Sequence, residues 1–380
     1  MRARVVFVFV FAAALLFGFR CSLPWENRLP PDFTIVSYNA HNLFDDVDSG
    51  TEYPEFRPGS GKWNAGLYGT RLENAAKALL SFFPEGGAGP DIICLQEIES
   101  NKVLKDLAGG QFGKLGYRWI ALGGPGDSAI KCGFLSRYPL VAIKAHSLSD
   151  AWGYGAGRDI LEATFDLGSK AGKPGNQEGH DESGFLTIFI CHWKSRKEGA
   201  AATEEARRMS SRLVESRLRE IGETDPGRNI VVCGDFNESP DEFARVAGKY
   251  PTALMPDPGE YFEDSLRGGI SPPPDWFNAV LRVSGSPGRA SLKDDGVTLY
   301  SPWNSTGGFS YKFQGEEERI DGFLLGPALV DGRGLDFGRF MVSDDPGLLD
   351  DAGSPQAWNG SSGYSDHLPI ALTLEWKTQP

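Results

Sequence analysis

The chain has 380 residues, 40% of them hydrophobic and 12% aromatic, which excludes an intrinsically disordered chain and allows one large domain or up to three smaller ones. Its formal net charge of −13 excludes a surface that attracts nucleic acid as a whole. A polyanion would have to be met by a local basic strip or through a bound divalent cation.

The first 21 residues join a basic start, MRAR, to the apolar run VVFVFVFAAALLFGF. That run has the length of a signal peptide and falls short of the roughly 20 apolar residues of a spanning helix. It predicts export, to a periplasmic, envelope-attached or secreted location; a short uncleaved anchor is the other reading. Cys21 ends the run and resembles the lipidated cysteine of bacterial lipoproteins, with Arg20 standing where those proteins carry a small residue. Residues 22–32 read as a short linker and 33–376 as a single domain, because no repeat and no Pro/Gly/Ser linker divides them.

Strand candidates then follow through the whole length. FTIVSYNA ends on Asn39, with His41 just beyond. GTRLENAAKALLSFF is a helix whose apolar stripe runs through Leu72, Ala75, Ala76, Leu79, Leu80 and Phe83. DIICLQE ends on Gln96 and Glu97; YRWIAL and KCGFLS come next. Arg158 precedes ILEATFDL, and residues 168–184 read as a long loop. GFLTIFICH ends on His192 and is followed by the basic stretch HWKSRKEG, with Lys194 and Arg196. In TEEARRMSSRLVESRLREIG an apolar stripe through Ala206, Met209, Leu213 and Leu218 predicts a helix with its Arg and Glu residues facing solvent. NIVVCGDF carries Asp235 at its end and Asn237 beyond it, two apart and so on one face of extended backbone. Residues 251–308 read as a second long loop. RIDGFLLG opens on Arg319 and Asp321, and Asp366 and His367 stand just before the last strand, LPIALTLEW. Cys94, Cys132, Cys191 and Cys233 sit in or beside apolar runs with no CxxC spacing, which reads as buried small hydrophobes rather than disulfides or zinc ligands.

Strand ends are where α/β proteins place chemistry, and the residue types here agree among themselves. Asn, Asp and Glu offer hard oxygen donors suited to Mg²⁺, with Mn²⁺ or Ca²⁺ as alternatives. Two of the five histidines, His192 and His367, stand at these junctions and supply protons or hydrogen bonds. A cation to offset charge, a base to activate water and donors for phosphoryl oxygens are the requirements of phosphate-ester hydrolysis.

The ordered series SYNAHNL, LQE, CHWKS, GDFNESP, RIDGFLL and SDHLPI resembles the motif series of the endonuclease/exonuclease/phosphatase superfamily, closest to its deoxyribonuclease-like branch. The resemblance spans Phe33 to Trp376. It implies an α/β fold, a four-layer αββα sandwich of two mixed β-sheets flanked by helices, with the site at one edge. It also implies Glu97 as the principal Mg²⁺ ligand with Asn39 and Asp366 close to the metal. Asp235 would orient or deprotonate the attacking water, and Asn237 would hold Asp235 and the phosphate in register. His367, backed by Asp321, would bond the scissile phosphate, and His192 would serve the leaving group or phosphate, with Asp127 a candidate carboxylate partner. Arg158 and Lys194 would face the substrate phosphate. Tyr311 is grouped with them as a substrate contact, and His41 is a further candidate.

Substrate choice rests on loops. Trp152, Tyr154, Trp276, Trp303, Phe309 and Tyr311 lie in or beside them and either stack on substrate or pack the loops down. The expectation is a monomeric metal-dependent nuclease acting on DNA outside the cytoplasm. A sphingomyelinase-like or inositol-phosphate-type phosphoesterase is the alternative, and a non-catalytic binding module the third reading.

Overall fold

The computed structural model describes residues 33–124, 128–148, 158–168, 184–265, 273–293 and 296–377. The signal segment, Cys21, Asp127, Trp152, Tyr154 and most of the 168–184 loop lie outside them.

The chain forms two large sheets. The six-stranded one consists of β1 (Phe33–Leu43), β2 (Ile92–Ile98), β3 (Trp119–Gly123), β4 (Lys131–Ser136), β16 (Leu335–Val342) and β17 (Ile370–Trp376), in the order β16-β17-β1-β2-β4-β3. The nine-stranded one consists of β5 (Leu140–His146), β6 (Ile160–Asp166), β7 (Phe185–His192), β8 (Asn229–Asp235), β9 (Leu254–Pro256), β10 (Leu281–Ser284), β11 (Ser291–Lys293), β12 (Gly296–Tyr300) and β15 (Asp321–Leu325). Its order is β5-β6-β7-β8-β15-β12-β10-β9, with β11 on β12. A small hairpin, β13 (Tyr311–Phe313) and β14 (Glu316–Glu318), stands apart. Both large sheets are mixed: β1 runs parallel to β2 and β7 to β8, among antiparallel neighbours.

Alternation along each strand sorts the apolar side chains into three layers. Ile35, Ile92, Cys94, Ile188, Ile190, Val231, Cys233, Phe323 and Leu372 meet between the sheets. Val36, Tyr38, Ile93 and Leu95 face the other way, onto helix α1 (Ala65–Leu80) through Leu72, Ala75, Ala76 and Leu79. Phe189, Ile230, Val232 and Leu324 face outward under the long helix α3 (Ala200–Thr224) through Val214, Leu218 and Ile221. Between these two helices in the chain lies the short α2 (Asn101–Asp106). Each helix thus covers one sheet and the sheets cover each other, which is the four-layer αββα sandwich that the motif series implies. Helix α1 starts where it does because the Asn64 side chain accepts from the N–H groups of Gly66 and Leu67. No described helix is long and apolar enough to cross a membrane.

Two expectations need correction. Residues 251–308 are not one loop: they contain β9, β10, β11 and β12, which extend the second sheet. These strands are three to five residues long and separated by Pro- and Gly-rich turns, so each is too short to show a period of its own. Helix α3 also buries a different face. Glu204 and Arg207 lie inside with Val214 and Leu218, whereas Ala206, Met209 and Leu213 are only partly covered. Arg207 is held there by Glu204 at 2.6 Å, Glu238 at 3.3 Å and the carbonyls of Ala200 and Lys194, so its charge is paired in place.

A second buried cluster pins α3 to the sheet. Glu162 on β6 receives Arg217 Nε at 2.9 Å and Nη2 at 3.1 Å, and His146 Nε2 lies 2.7 Å from the same carboxylate. Burial alone would raise the Glu162 pKa, but the hydrogen bonds from His146 and Arg217 outweigh it and bring it down to about 2. A depressed carboxyl stabilises the fold above its unfolded pKa and loses that contribution as pH falls toward the folded value. Glu162→Gln should therefore cost about 2–3 kcal/mol at pH 7. The gap from the native chain should close as thermal or denaturant unfolding is repeated from pH 5 down toward pH 2.

Candidate active site at the sheet edge

The inter-sheet parity carries straight into the polar strand ends. On β8 the residues Val231 and Cys233 face the other sheet, and so does Asp235; on β7 Ile188 and Ile190 are followed on the same face by His192. His192 and Asp235 are register partners across parallel strands, and Asp235 faces Asp321 across the antiparallel pair β8–β15. Three adjacent strands thereby set His192, Asp235 and Asp321 in a row. Gly234 makes this approach feasible: its φ is +129°, and a Cβ there would sit 2.0 Å from the carbonyl oxygen of Cys191.

The first sheet supplies the opposite wall. Asn39 shares the inter-sheet face of Phe33 and Ile35, and its Nδ2 donates to Asp235 Oδ2 at 3.0 Å. Glu97 would point to the helix side by strict alternation. The β2–β4 register breaks between Leu95 and Ile98, and Glu97 adopts φ +61°. That bulge swings its carboxylate round to lie 3.5 Å from both Asn39 Nδ2 and His192 Nε2. Its other oxygen accepts from the backbone N–H of Asn42 at 2.8 Å. His41, Asn42 and Asn237 also have φ between +50° and +59°, so four of the seven left-handed non-glycine residues among the described ones lie here.

His367 stands before β17 with its Nδ1 2.7 Å from Asp321 Oδ2. Burial would lower its pKa, but Asp321, with Asp366 and Asp235 behind it, holds it well above the usual histidine value. The ring is an imidazolium whose Nε2 faces Asp235 Oδ2 and Asp366 Oδ1, each at 3.9 Å. Burial pushes Asp235 up to about 7, against the pull of His367. The backbone N–H of Asn237 donates to Asp235 Oδ1 at 2.8 Å, while its Nδ2 holds the Trp193 carbonyl at 3.1 Å.

His192 behaves oppositely. Burial, with the Arg158 guanidinium beside it, drives its pKa well down, so the ring is neutral and its Nε2 accepts from Arg158 Nη1 at 2.5 Å. Arg158 also donates to the Trp193 carbonyl at 2.9 Å. Tyr311 bridges to the His367 backbone and lays its ring 4.7 Å from the imidazole. His41 Nδ1 lies 3.7 Å from Asp366 Oδ1.

Asn39, Glu97, Arg158, His192, Asp235, Asn237, Tyr311, Asp321, Asp366 and His367 thus converge on one cleft. Lys194 does not join them: its ammonium pairs with Glu198, four residues on, at 2.8 Å. Arg196 is likewise committed, to Glu318 and to Glu242. Trp303 is a support beneath the site, buried against Phe340 and donating to the Asp321 carbonyl at 3.0 Å. Trp276 packs on Phe243. Residues unforeseen in the sequence also belong here: Ser365, whose hydroxyl bonds the Asn39 carbonyl at 2.8 Å, and the buried Arg71 of α1. No local signal marks either one, because each works on backbone far away in the chain.

The donor set fits a hard divalent cation. Asp235, Asp321 and His367 bring ligand-type atoms within 4.8 Å of one another, but an imidazolium bonded to Asp321 offers no lone pair. The oxygens beside them, from Glu97, Asn39 and Asp366, are of the type that Mg²⁺, Mn²⁺ or Ca²⁺ takes, and no thiol lies among them.

No curated protein matches the chain in sequence. Among solved structures it is similar to D. rerio TDP2 complexed with single strand DNA product, at 14% identity over 91% of this chain and 100% of that one, with a TM-score of 0.49. It is also similar to an endonuclease/exonuclease/phosphatase family protein from Bacteroides thetaiotaomicron, at 14% identity over 92% of this chain and 100% of that one, TM-score 0.47. A third is the 3' phosphatase NExo from Neisseria bound to product DNA hairpin, at 16% identity over 90% and 100%, TM-score 0.47. The model of the endonuclease/exonuclease/phosphatase family matches residues 34–249, more than half of the chain, and with the cleft described above the protein belongs to that family of phosphoester hydrolases.

Proposed function

We propose that the protein is an exported, divalent-cation-dependent phosphodiesterase that cuts DNA outside the cytoplasm. The observation that carries this reading is the placement of Asp235 between the Asn39 amide and the Asp321–His367 pair, in an oxygen-lined cleft. The apolar leader and Cys21 support export, with envelope attachment if the cysteine carries lipid.

Asp235, oriented by Asn39 and by the Asn237 backbone, accepts the proton of the attacking water. His367 presents a charged N–H to a phosphoryl oxygen, and Asp321 keeps that charge in place. Arg158 adds a second positive group on the far wall, beside the neutral His192. A Mg²⁺ ion, or Mn²⁺ or Ca²⁺ in its stead, held by Glu97 and Asn39 with Asp366 alongside, would neutralise the charge of the phosphate and acidify bound water.

One observation favours a second reading. The hairpin beside the site carries Phe313, 52% exposed and stacked on Tyr311, with Glu316 opposite Phe313 and Glu318 opposite Tyr311. Aromatic rings next to carboxylates suit a quaternary-ammonium headgroup, so a phosphocholine lipid is the competing substrate.

The mature chain should nick supercoiled plasmid with Mg²⁺ and lose that activity in EDTA. Asp235→Ala and His367→Ala should each lower kcat by about 10²–10⁴-fold without unfolding the chain. Cleavage of phosphocholine lipid with intact plasmid would replace the DNA reading by the second one. A separate test concerns what the site costs the fold. Asp235 is buried with its pKa raised from 3.8 to about 7, so the metal-free protein loses stability as pH rises between those values and carries the full cost of the ionised form above pH 7. In EDTA at pH 8, Asp235→Asn should melt about 2–4 °C above the native chain, as differential scanning calorimetry would show.

A further inference from the structure

Arg71 projects from α1 into the interior and is 2% exposed, one of the largest fully buried side chains in the molecule. Among the described residues it makes no ion pair with a carboxylate. Instead Nη2 donates to the carbonyls of Ala40 at 2.5 Å and His41 at 2.8 Å, and Nη1 donates to the carbonyl of Tyr364. Its guanidinium carbon lies 5.1 Å from the Trp358 ring centre.

Those three carbonyls belong to the two chain segments that flank the cleft. The first, at the end of β1, carries Asn39, and through the left-handed pair His41 and Asn42 it presents the N–H that fixes Glu97. The second carries Asp366 and His367. Three weaker ties join the same segments: Ser365 bonds the Asn39 carbonyl at 2.8 Å, Asn39 Nδ2 lies 3.5 Å from His367 Nε2, and His41 Nδ1 lies 3.7 Å from Asp366 Oδ1. A planar guanidinium spreads its donors over two nitrogens in a fixed fork and so sets the spacing of the carbonyls it joins, which the single nitrogen of an ammonium does not.

Resting on the cation-dependent reading above, we infer that Arg71 is a positioning residue: it clamps the β1 end to the Tyr364–His367 segment and so presets Glu97, Asn39 and Asp366 for a divalent cation. The inference runs against simple electrostatics. A buried positive charge behind a cation site repels the cation, so if charge dominated, removing Arg71 would tighten binding. The geometry says that loss of the clamp dominates, because Arg71 holds both segments at once, including the left-handed backbone at His41, whereas Asn74, the other α1 side chain bonded here, reaches only the Gly363 carbonyl at 2.8 Å.

The test is Mn²⁺ binding by isothermal titration calorimetry, on the metal-free native chain and on Arg71→Met and Arg71→Lys, each checked for native near-ultraviolet circular dichroism. The expected result is a Kd weakened about tenfold or more in both variants. Lys fares little better than Met because it keeps the charge and loses the fork. Equal or tighter binding in Met, with Lys unchanged, overturns the inference. If Met does not fold, Lys decides alone. If the native chain itself binds no Mn²⁺, the cation-dependent reading falls first and this inference with it, whereas native binding with indifferent variants sinks the inference only.

Discussion

Asp235, Asp321 and Glu97 bring carboxylates between two sheets, where each unpaired charge costs several kcal/mol, and the local architecture is arranged around that cost. Asp321 is compensated by the His367 imidazolium at 2.7 Å. Asp235 takes hydrogen bonds from Asn39 and from the backbone of Asn237. Glu97 takes one from the backbone of Asn42. The Asn237 bond is local and the Asn42 bond lies within one sheet, but the Asn39–Asp235 and His367–Asp321 bonds each cross from one sheet to the other. Asp235 and Asp321 are therefore fully compensated only when the two sheets are together, which ties the chemistry of the cleft to the global fold.

The same accounting explains why the two histidines end in opposite states although both are buried at strand junctions. His367 has a carboxylate on Nδ1 and acids beyond Nε2, whereas His192 has a guanidinium on Nε2. Burial pushes both rings toward the neutral form; at His367 the neighbouring acids overcome it, and at His192 the guanidinium adds to it. The cleft therefore holds one charged ring on the Asp321 side and a neutral ring backed by Arg158 on the other. Against a net charge of −13, these local cations are what an anionic phosphate would meet at the end of its approach.

Much of this arrangement is legible in the sequence because strand alternation and function coincide: an apolar run ending on Asn39, His192 or Asp235 declares both a strand and its rim. Glu97 is legible as a residue but not as a direction, since only the bulge turns it into the cleft. Helix α3 misleads for a different reason. Its polar residues Glu204 and Arg207 look solvent-facing until Glu238, thirty-one residues further on, closes the pair. The strands β9 to β12 are too short for periodicity to rise above their turns. Arg71 carries no local mark, because its meaning lies in carbonyls supplied from both ends of the chain.

Cys94 and Cys132 lie in the first sheet and Cys191 and Cys233 in the second, all four as buried free thiols. Burial raises the pKa of Cys132, Cys191 and Cys233 and suppresses their thiolate form, so a thiol reagent gains purchase only when a strand lifts away. The chain thereby contains its own pair of clocks. Cys94, Cys132 and Cys233 lie between the sheets and Cys191 lies under α3, so alkylation at the first three times the parting of the sheets and alkylation at Cys191 the lifting of the helix; equal rates would mean that the sandwich opens as one unit.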